Sequence, residues 1–167
     1  MAPSTYFFIL VQLLPVSYID IKTKKISNFW PILNILIYFF YLYYFRAEYP
    51  LVLEHFLFPI GCLVLGFLFY LLKIMGPGDS KYLFSLFLLV PYKFQMTFFL
   101  MLLYATILTG SILLLLHAVR NFGKIKKAIF LGEFGQLGSI FGSKFTYAPI
   151  ILLSWVGFGW AIKIFPI

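Results

Sequence analysis

Six apolar runs separated by short charged or turn-forming stretches constrain this chain more than any other feature. They cover about 6–19, 29–45, 56–75, 79–95, 97–119 and 147–165. A helix of about 17–25 apolar residues bridges a bilayer core about 30 Å thick. Lipid offers no partner to backbone N–H and C=O groups, so a span of this kind must be helical or part of a closed barrel. The pattern predicts an all-α, polytopic membrane protein of about six transmembrane helices, forming a single transmembrane domain over 1–167. Composition agrees: 63% of the residues are apolar, only 11% are charged, and mean hydropathy is +1.00. A soluble domain runs nearer about 45–50% apolar and about 25% charged.

The first run is short unless it includes residues from Pro3 onward, and Pro15 is expected to kink it. No basic stretch precedes it, so it is expected to be a retained helix and not a removable signal peptide. The fourth run, counted from Asp79 to Gln95, reaches only about 25 Å at about 1.5 Å per residue. Charge argues that it crosses. With six crossings, ten of the 13 basic residues fall on one side: Lys22, Lys24, Lys25, Lys73, Lys81, Arg120, Lys124, Lys126, Lys127 and Lys144. Arg46, Lys93 and Lys163 fall on the other. Basic residues accumulate in cytoplasmic loops, which puts the first group in the cytoplasm and both termini outside.

The net charge of +8 is thereby a topological signal. No aromatic-basic platform lies outside the apolar runs, so nucleic acid is not an expected partner, whereas membrane lipid is. Cys62, the only cysteine, lies within an apolar run, which excludes a disulfide framework or CxxC zinc site within the chain. Between runs five and six, residues 125–131 combine apolar and basic character, as in an amphipathic helix lying along the membrane surface or a plain cytoplasmic loop.

Chemistry is carried by few residues. The chain has five acidic residues, of which two are aspartates: Asp20 at the end of run one and Asp79 after run three. Two crossings separate them, so they share a side whatever the absolute orientation. Carboxylates near lipid are costly to ionise and usually functional. If the pair meets, like charge prevents both from ionising and one proton is shared, leaving one base and one acid. That arrangement activates water against a peptide carbonyl and protonates the leaving amine. It requires no metal or cofactor, and no His/Cys/carboxylate cluster suggests one. His55 and His117 stand apart and are read as a loop residue and a helix-end residue. A simpler account of Asp20 is an ion pair with Lys24 at i, i+4. Asp79 has a more particular setting, Met75-Gly76-Pro77-Gly78-Asp79-Ser80-Lys81. Gly76 is expected to end helix three in a left-handed cap, Pro77 to stiffen the turn, and Gly78 to permit a tight turn or close backbone approach. Asp79 then takes the N-cap place of the next helix.

Gly76-Pro77-Gly78-Asp79 matches the GxGD motif of membrane aspartic proteases, and Lys81 extends it to GxGDxK. Ile19-Asp20-Ile21-Lys22-Thr23-Lys24-Lys25-Ile26-Ser27-Asn28 is similar to the first motif of the same group: an aspartate, a basic loop, then commonly Ile-Pro-Asn. Over residues 6–118 the chain resembles the type IV prepilin peptidases, with Ser27 where proline is usual. Tyr147-Ala148-Pro149 matches more loosely a tendency for small residues and proline in the last helix. The resemblance implies catalytic Asp20 and Asp79, with Gly76, Gly78, Lys81 and Asn28 in substrate binding or loop support. It implies a prepilin or pseudopilin substrate, cleaved at the cytoplasmic face of a bacterial inner membrane. The large members carry a cysteine-rich insertion with N-methyltransferase activity. This chain resembles the short members that serve tight-adherence-type pili, which implies cleavage without methylation. The alternatives are another GxGD protease, acting on signal peptides or archaellin-like precursors, and a non-enzymatic transporter or assembly subunit.

Overall fold

Why helices form here follows from the solvent: each apolar run must satisfy its own backbone. The computed structural model describes residues 3–46, 48–71, 75–122 and 146–162. They form α1 (Pro3–Thr23), α2 (Phe29–Tyr44), α3 (Leu53–Leu71), α4 (Pro77–Leu89), α5 (Tyr92–Arg120) and α6 (Ala148–Ala161), with no strand among the described residues. Helices α1, α3 and α5 are long and apolar enough to cross a membrane; α2 and α6 are shorter apolar helices. The chain is an all-α membrane protein. Residues 125–131 and the end of the sixth run lie outside the described residues.

Burial is inverted relative to a water-soluble bundle. Leu53, Val119, Leu51, Phe122 and Tyr43 are exposed, whereas Asn34, His55, Ser85, Gln95, Asp20 and Asp79 are buried. In water this surface would be unstable; in lipid it is the low-energy arrangement, because polar groups then find partners only in the interior. On α1 the buried positions Leu13, Val16, Ser17 and Asp20 form one helical face. Phe7, Val11, Leu14 and Tyr18 point outward.

Helix α4 packs on α3 and α2, while α6 packs on α1 and α5. Tyr6 and Trp155 stack at 5.4 Å between α1 and α6. The Tyr6 hydroxyl donates to the Trp155 carbonyl, and the Trp155 indole N–H donates to the Tyr6 carbonyl, each at 3.2 Å. On the other side a buried amide chain joins three helices. Gln12 Nε2 donates to Asn34 Oδ1 at 2.6 Å, and Asn34 Nδ2 donates to Ser85 Oγ at 3.2 Å.

The fourth run departs from the expected single segment. Helix α4 stops at Leu89, Val90 is extended, and α5 begins at Tyr92. The cause is Pro91, which has no N–H to donate to the Phe87 carbonyl four residues back and forces its predecessor out of helical geometry. The Val90 N–H turns back to the Phe87 carbonyl at 3.2 Å, and Gln95 adds a second donor: its Nε2 lies 3.1 Å from the Phe87 carbonyl, 3.3 Å from that of Val90 and 3.0 Å from that of His55. With 13 residues, α4 is only about 20 Å long, and Gln95 belongs to α5. Pro15, by contrast, lies within a helix that continues to Thr23.

Candidate active site

The carboxyl-bearing end of the bundle is built where α1 ends and α4 begins. Helix α1 closes on Lys24, whose φ of 52° is left-handed and whose N–H reaches the Asp20 carbonyl at 2.8 Å. The link between Asp20 and Lys24 thus runs through the backbone. Ser27, in the usual place of proline, accepts the Phe29 N–H on its hydroxyl at 3.3 Å and so supports the start of α2 by a hydrogen bond instead of ring rigidity.

At the second motif two expectations are corrected. Gly76 is extended (φ −78°, ψ 152°), not left-handed, and it takes the N-cap place of α4 itself. Pro77 is then the first helical residue, where its fixed φ fits and its absent N–H is not missed. Asp79 lies in the first turn and reaches back: its Oδ2 accepts the Gly76 N–H at 3.0 Å. Gly78 faces the first motif directly. A Cβ placed on it would lie 2.9 Å from the Ile26 carbonyl oxygen, so only glycine allows the two motif loops to touch as they do.

Asp20 and Asp79 are 2% and 6% exposed, buried enough that neither carboxyl is solvated as it would be in water. Asp79 lies outside the helices long enough to span. Burial first, and then the charge of nearby Asp20, pushes its carboxyl up to about 6, against the lowering effect of the Gly76 N–H. Asp20 meets a different partner. Its Oδ2 accepts the Ala148 N–H at 3.0 Å, in the first turn of α6. Ser17, one turn earlier on α1, donates to the Ala148 carbonyl at 3.1 Å. The positive end of the α6 dipole therefore points at the Asp20 carboxyl. Beside it, the Tyr147 hydroxyl lies 3.0 Å from Thr106 Oγ1 on α5.

The two aspartates are therefore brought within electrostatic reach, and Gly76 and Gly78 form the frame around Asp79. Lys81 is exposed on α4, one turn beyond Gly78. Asn28 is not gathered in: it occupies the N-cap place of α2, exposed and without a side-chain capping bond. Sequence reasoning did not connect Ala148 or Ser17 with Asp20. The available signal was a serine one turn before the aspartate on the same face of an apolar helix.

A helical bundle that turns its polar groups inward and holds two buried carboxyls at one end defines a class of polytopic membrane protein with acid–base capacity at its edge. The particular group is given by comparison: residues 7–119 match the model of the Type IV leader peptidase family, and the chain belongs to that family. At family level its activity is that of a leader-peptidase-type aspartic protease. No curated protein and no solved structure matches the chain.

Proposed function

We propose that this protein is a prepilin leader peptidase whose catalytic groups are Asp20 and Asp79. The observation that carries the reading is the pair of buried carboxyls at one end of the bundle, each held by a backbone N–H at a helix start. Both carboxyls are buried and like charge keeps one proton on the pair; the N-terminus of α6 beside Asp20 favours charge there, which assigns the roles in this reading. Asp20, at the positive end of α6, is the carboxylate: it removes a proton from water as the oxygen attacks the scissile carbonyl. Asp79, with its raised proton affinity, is the acid: its proton passes to the carbonyl oxygen, giving a neutral tetrahedral diol. Collapse of the diol breaks the C–N bond. The leaving amine takes the proton held by Asp20, and the hydroxyl proton returns to Asp79, which restores the pair.

The substrate in this reading is a prepilin or pseudopilin, with a basic leader, a glycine and an apolar helix. Its apolar helix stays in lipid and the bond to be cut lies at the depth of the two carboxyls. The ten-to-three distribution of basic residues supports six crossings, a single domain and a cytoplasmic site in a bacterial inner membrane. Gly76 and Gly78 support the Asp79 loop, and Lys81 and Asn28 are candidates for contact with substrate or headgroups. The link at 24–28 between α1 and α2 is short, and the chain has one cysteine. Cleavage without N-methyl transfer follows from that reading, and purified protein should act without S-adenosylmethionine.

The test is timed cleavage of a co-expressed prepilin in membranes with matched expression. Asp20→Asn and Asp79→Asn should each abolish cleavage, and the double variant should be little worse than either, because the groups act as one unit. Near-normal cleavage by either variant would remove this reading and leave a transporter or assembly role in front.

A further inference from the structure

The start of α6 is held from two sides, by two different helices. Toward α1, the Ala148 N–H donates to Asp20 Oδ2 at 3.0 Å while Ser17 Oγ donates to the Ala148 carbonyl at 3.1 Å. Toward α5, the Tyr147 hydroxyl meets Thr106 Oγ1 at 3.0 Å. The direction of that last bond follows from its neighbour. Thr106 has one hydroxyl proton, and it is directed at the Leu102 carbonyl one turn back, 2.7 Å away. Thr106 therefore accepts and Tyr147 donates. The phenol is a strut from the N-cap of α6 to the middle of α5.

Two features separate this strut from an ordinary hydrogen bond between packed helices. First, α5 and α6 do not need it to stay together. About two turns farther along both, Phe98 meets Trp155 at 5.1 Å and Phe158 at 5.5 Å in an edge-on aromatic cluster. Second, the N–H groups at the start of α6 are committed in a particular way. Pro149 has none, and those of Ile150 and Ile151 go to the Tyr147 carbonyl. The donors that remain at this end, Ala148 and Tyr147, both turn to the Asp20 carboxyl. The Tyr147 hydroxyl in turn lies within electrostatic reach of Asp79, the charged group that faces Asp20 from α4. One residue thus addresses Asp20 with its backbone and Asp79 with its phenol.

We infer that Tyr147, anchored on Thr106, is a positioning residue of the carboxyl pair: its bond to α5 fixes the first turn of α6 so that the N–H groups there bear on Asp20 and keep the negative charge on it. The inference rests on the acid and base roles given to the two carboxyls in the leader-peptidase reading. Without the strut, the first turn of α6 is free to tilt away. Asp20 then loses its charge-assisted donors, and the shared proton is no longer confined to Asp79.

The chain contains two aspartates, which gives a test independent of cleavage. In an Asp79→Asn protein made by cell-free synthesis with 13C-labelled aspartate, Asp20 is the one labelled side-chain carboxyl, and infrared spectroscopy follows its titration. Tyr147→Phe and Thr106→Val, each added to that background, should move the Asp20 midpoint upward. The two together should move it no further than either alone, because all three variants lack the same bond. Thr106→Ser, which keeps the hydroxyl, should retain the original midpoint. With Asp79 intact, Tyr147→Phe should lower kcat for prepilin about tenfold, leave KM within about twofold, and shift the acid limb of kcat/KM upward. An unmoved midpoint in Tyr147→Phe overturns the proposal. So does a Thr106→Ser protein that behaves like Thr106→Val, which would mark side-chain packing on α5 as the cause. A shifted midpoint together with no cleavage by the wild type would retain the strut and discard the catalytic reading. Cleavage by the wild type with an unmoved midpoint would do the reverse.

Discussion

Replacing Gly78 by alanine tests whether the two motif loops must touch for cleavage. The added methyl would lie 2.9 Å from the Ile26 carbonyl oxygen and 3.4 Å from both the Ile26 nitrogen and Cβ. An unstrained carbon–oxygen contact is about 3.3–3.6 Å, so the loops must separate by about 0.5 Å. Misplacement of reacting groups by about 1 Å costs on the order of 100-fold in rate, which makes about tenfold the expected loss in kcat. The same crowding costs about 1–3 kcal/mol of stability if the loops do not yield. The nearest atom belongs to the backbone, so Ile26→Ala should not rescue the variant. The assay is prepilin cleavage at matched expression, with thermal inactivation in detergent as the stability readout. Unchanged kcat in a well-expressed Gly78→Ala protein, or full rescue by Ile26→Ala, would refute the argument that loop contact sets the carboxyl geometry.

The raised proton affinity of Asp79 has its own consequence for stability. Between the ordinary carboxyl value of about 3.8 and its folded value of about 6, the folded state holds the proton that the unfolded state has lost, so stability falls as pH rises through that window. Asp79→Asn removes the penalty and should be more heat-resistant than wild type at pH 7, on the order of 1–3 kcal/mol, with the gain gone at about pH 4; a less stable variant at pH 7 would contradict it. Asp20→Asn should lower the Asp79 midpoint, read by isotope-edited infrared of the carboxyl, but leave it above the ordinary value because burial is the larger cause. Gly66→Ala should destabilise by about 1–3 kcal/mol, and Ser80→Gly should partly rescue it, since the Ser80 side chain is the first obstacle; no rescue would place the strain elsewhere. Cysteines at Lys24 and Lys81 should label from one side of the membrane; labelling from opposite sides would end the proposed pairing of the carboxyls.

What could be read from the chain was what local patterning controls. Apolar runs and their breaks located the helices, and the Gly76–Asp79 turn announced itself by glycine and proline spacing. Pro91 was equally visible, but length arithmetic over 79–95 passed through it, and the corner it makes was lost. The orientation of Gly76 and the reach of Asp79 back to its N–H depend on backbone angles that glycine and proline permit but do not dictate. The bond from Ala148 to Asp20 joins residues far apart in the chain, and nothing local announces it. The amide chain through Gln12, Asn34 and Ser85 had a signal, three polar residues in apolar runs, but not the pairing.

The corner at Pro91 bears on how the bundle enters the bilayer. Helix α4 carries Asp79, Ser80, Lys81 and Ser85, and carbonyls at its end are met from outside it: Phe87 by Gln95 of α5, whose amide also reaches the His55 carbonyl of α3, and Leu89 by the Tyr49 hydroxyl. Alone in hydrocarbon, this segment would partition poorly: it is short, and its last turn lacks a donor. Helices α3 and α2 pack along it, and Gln95 and Tyr49 supply donors at its end. Settling of α4 is therefore coupled to that of its neighbours, and the Asp79 turn takes its place only once they are assembled around it.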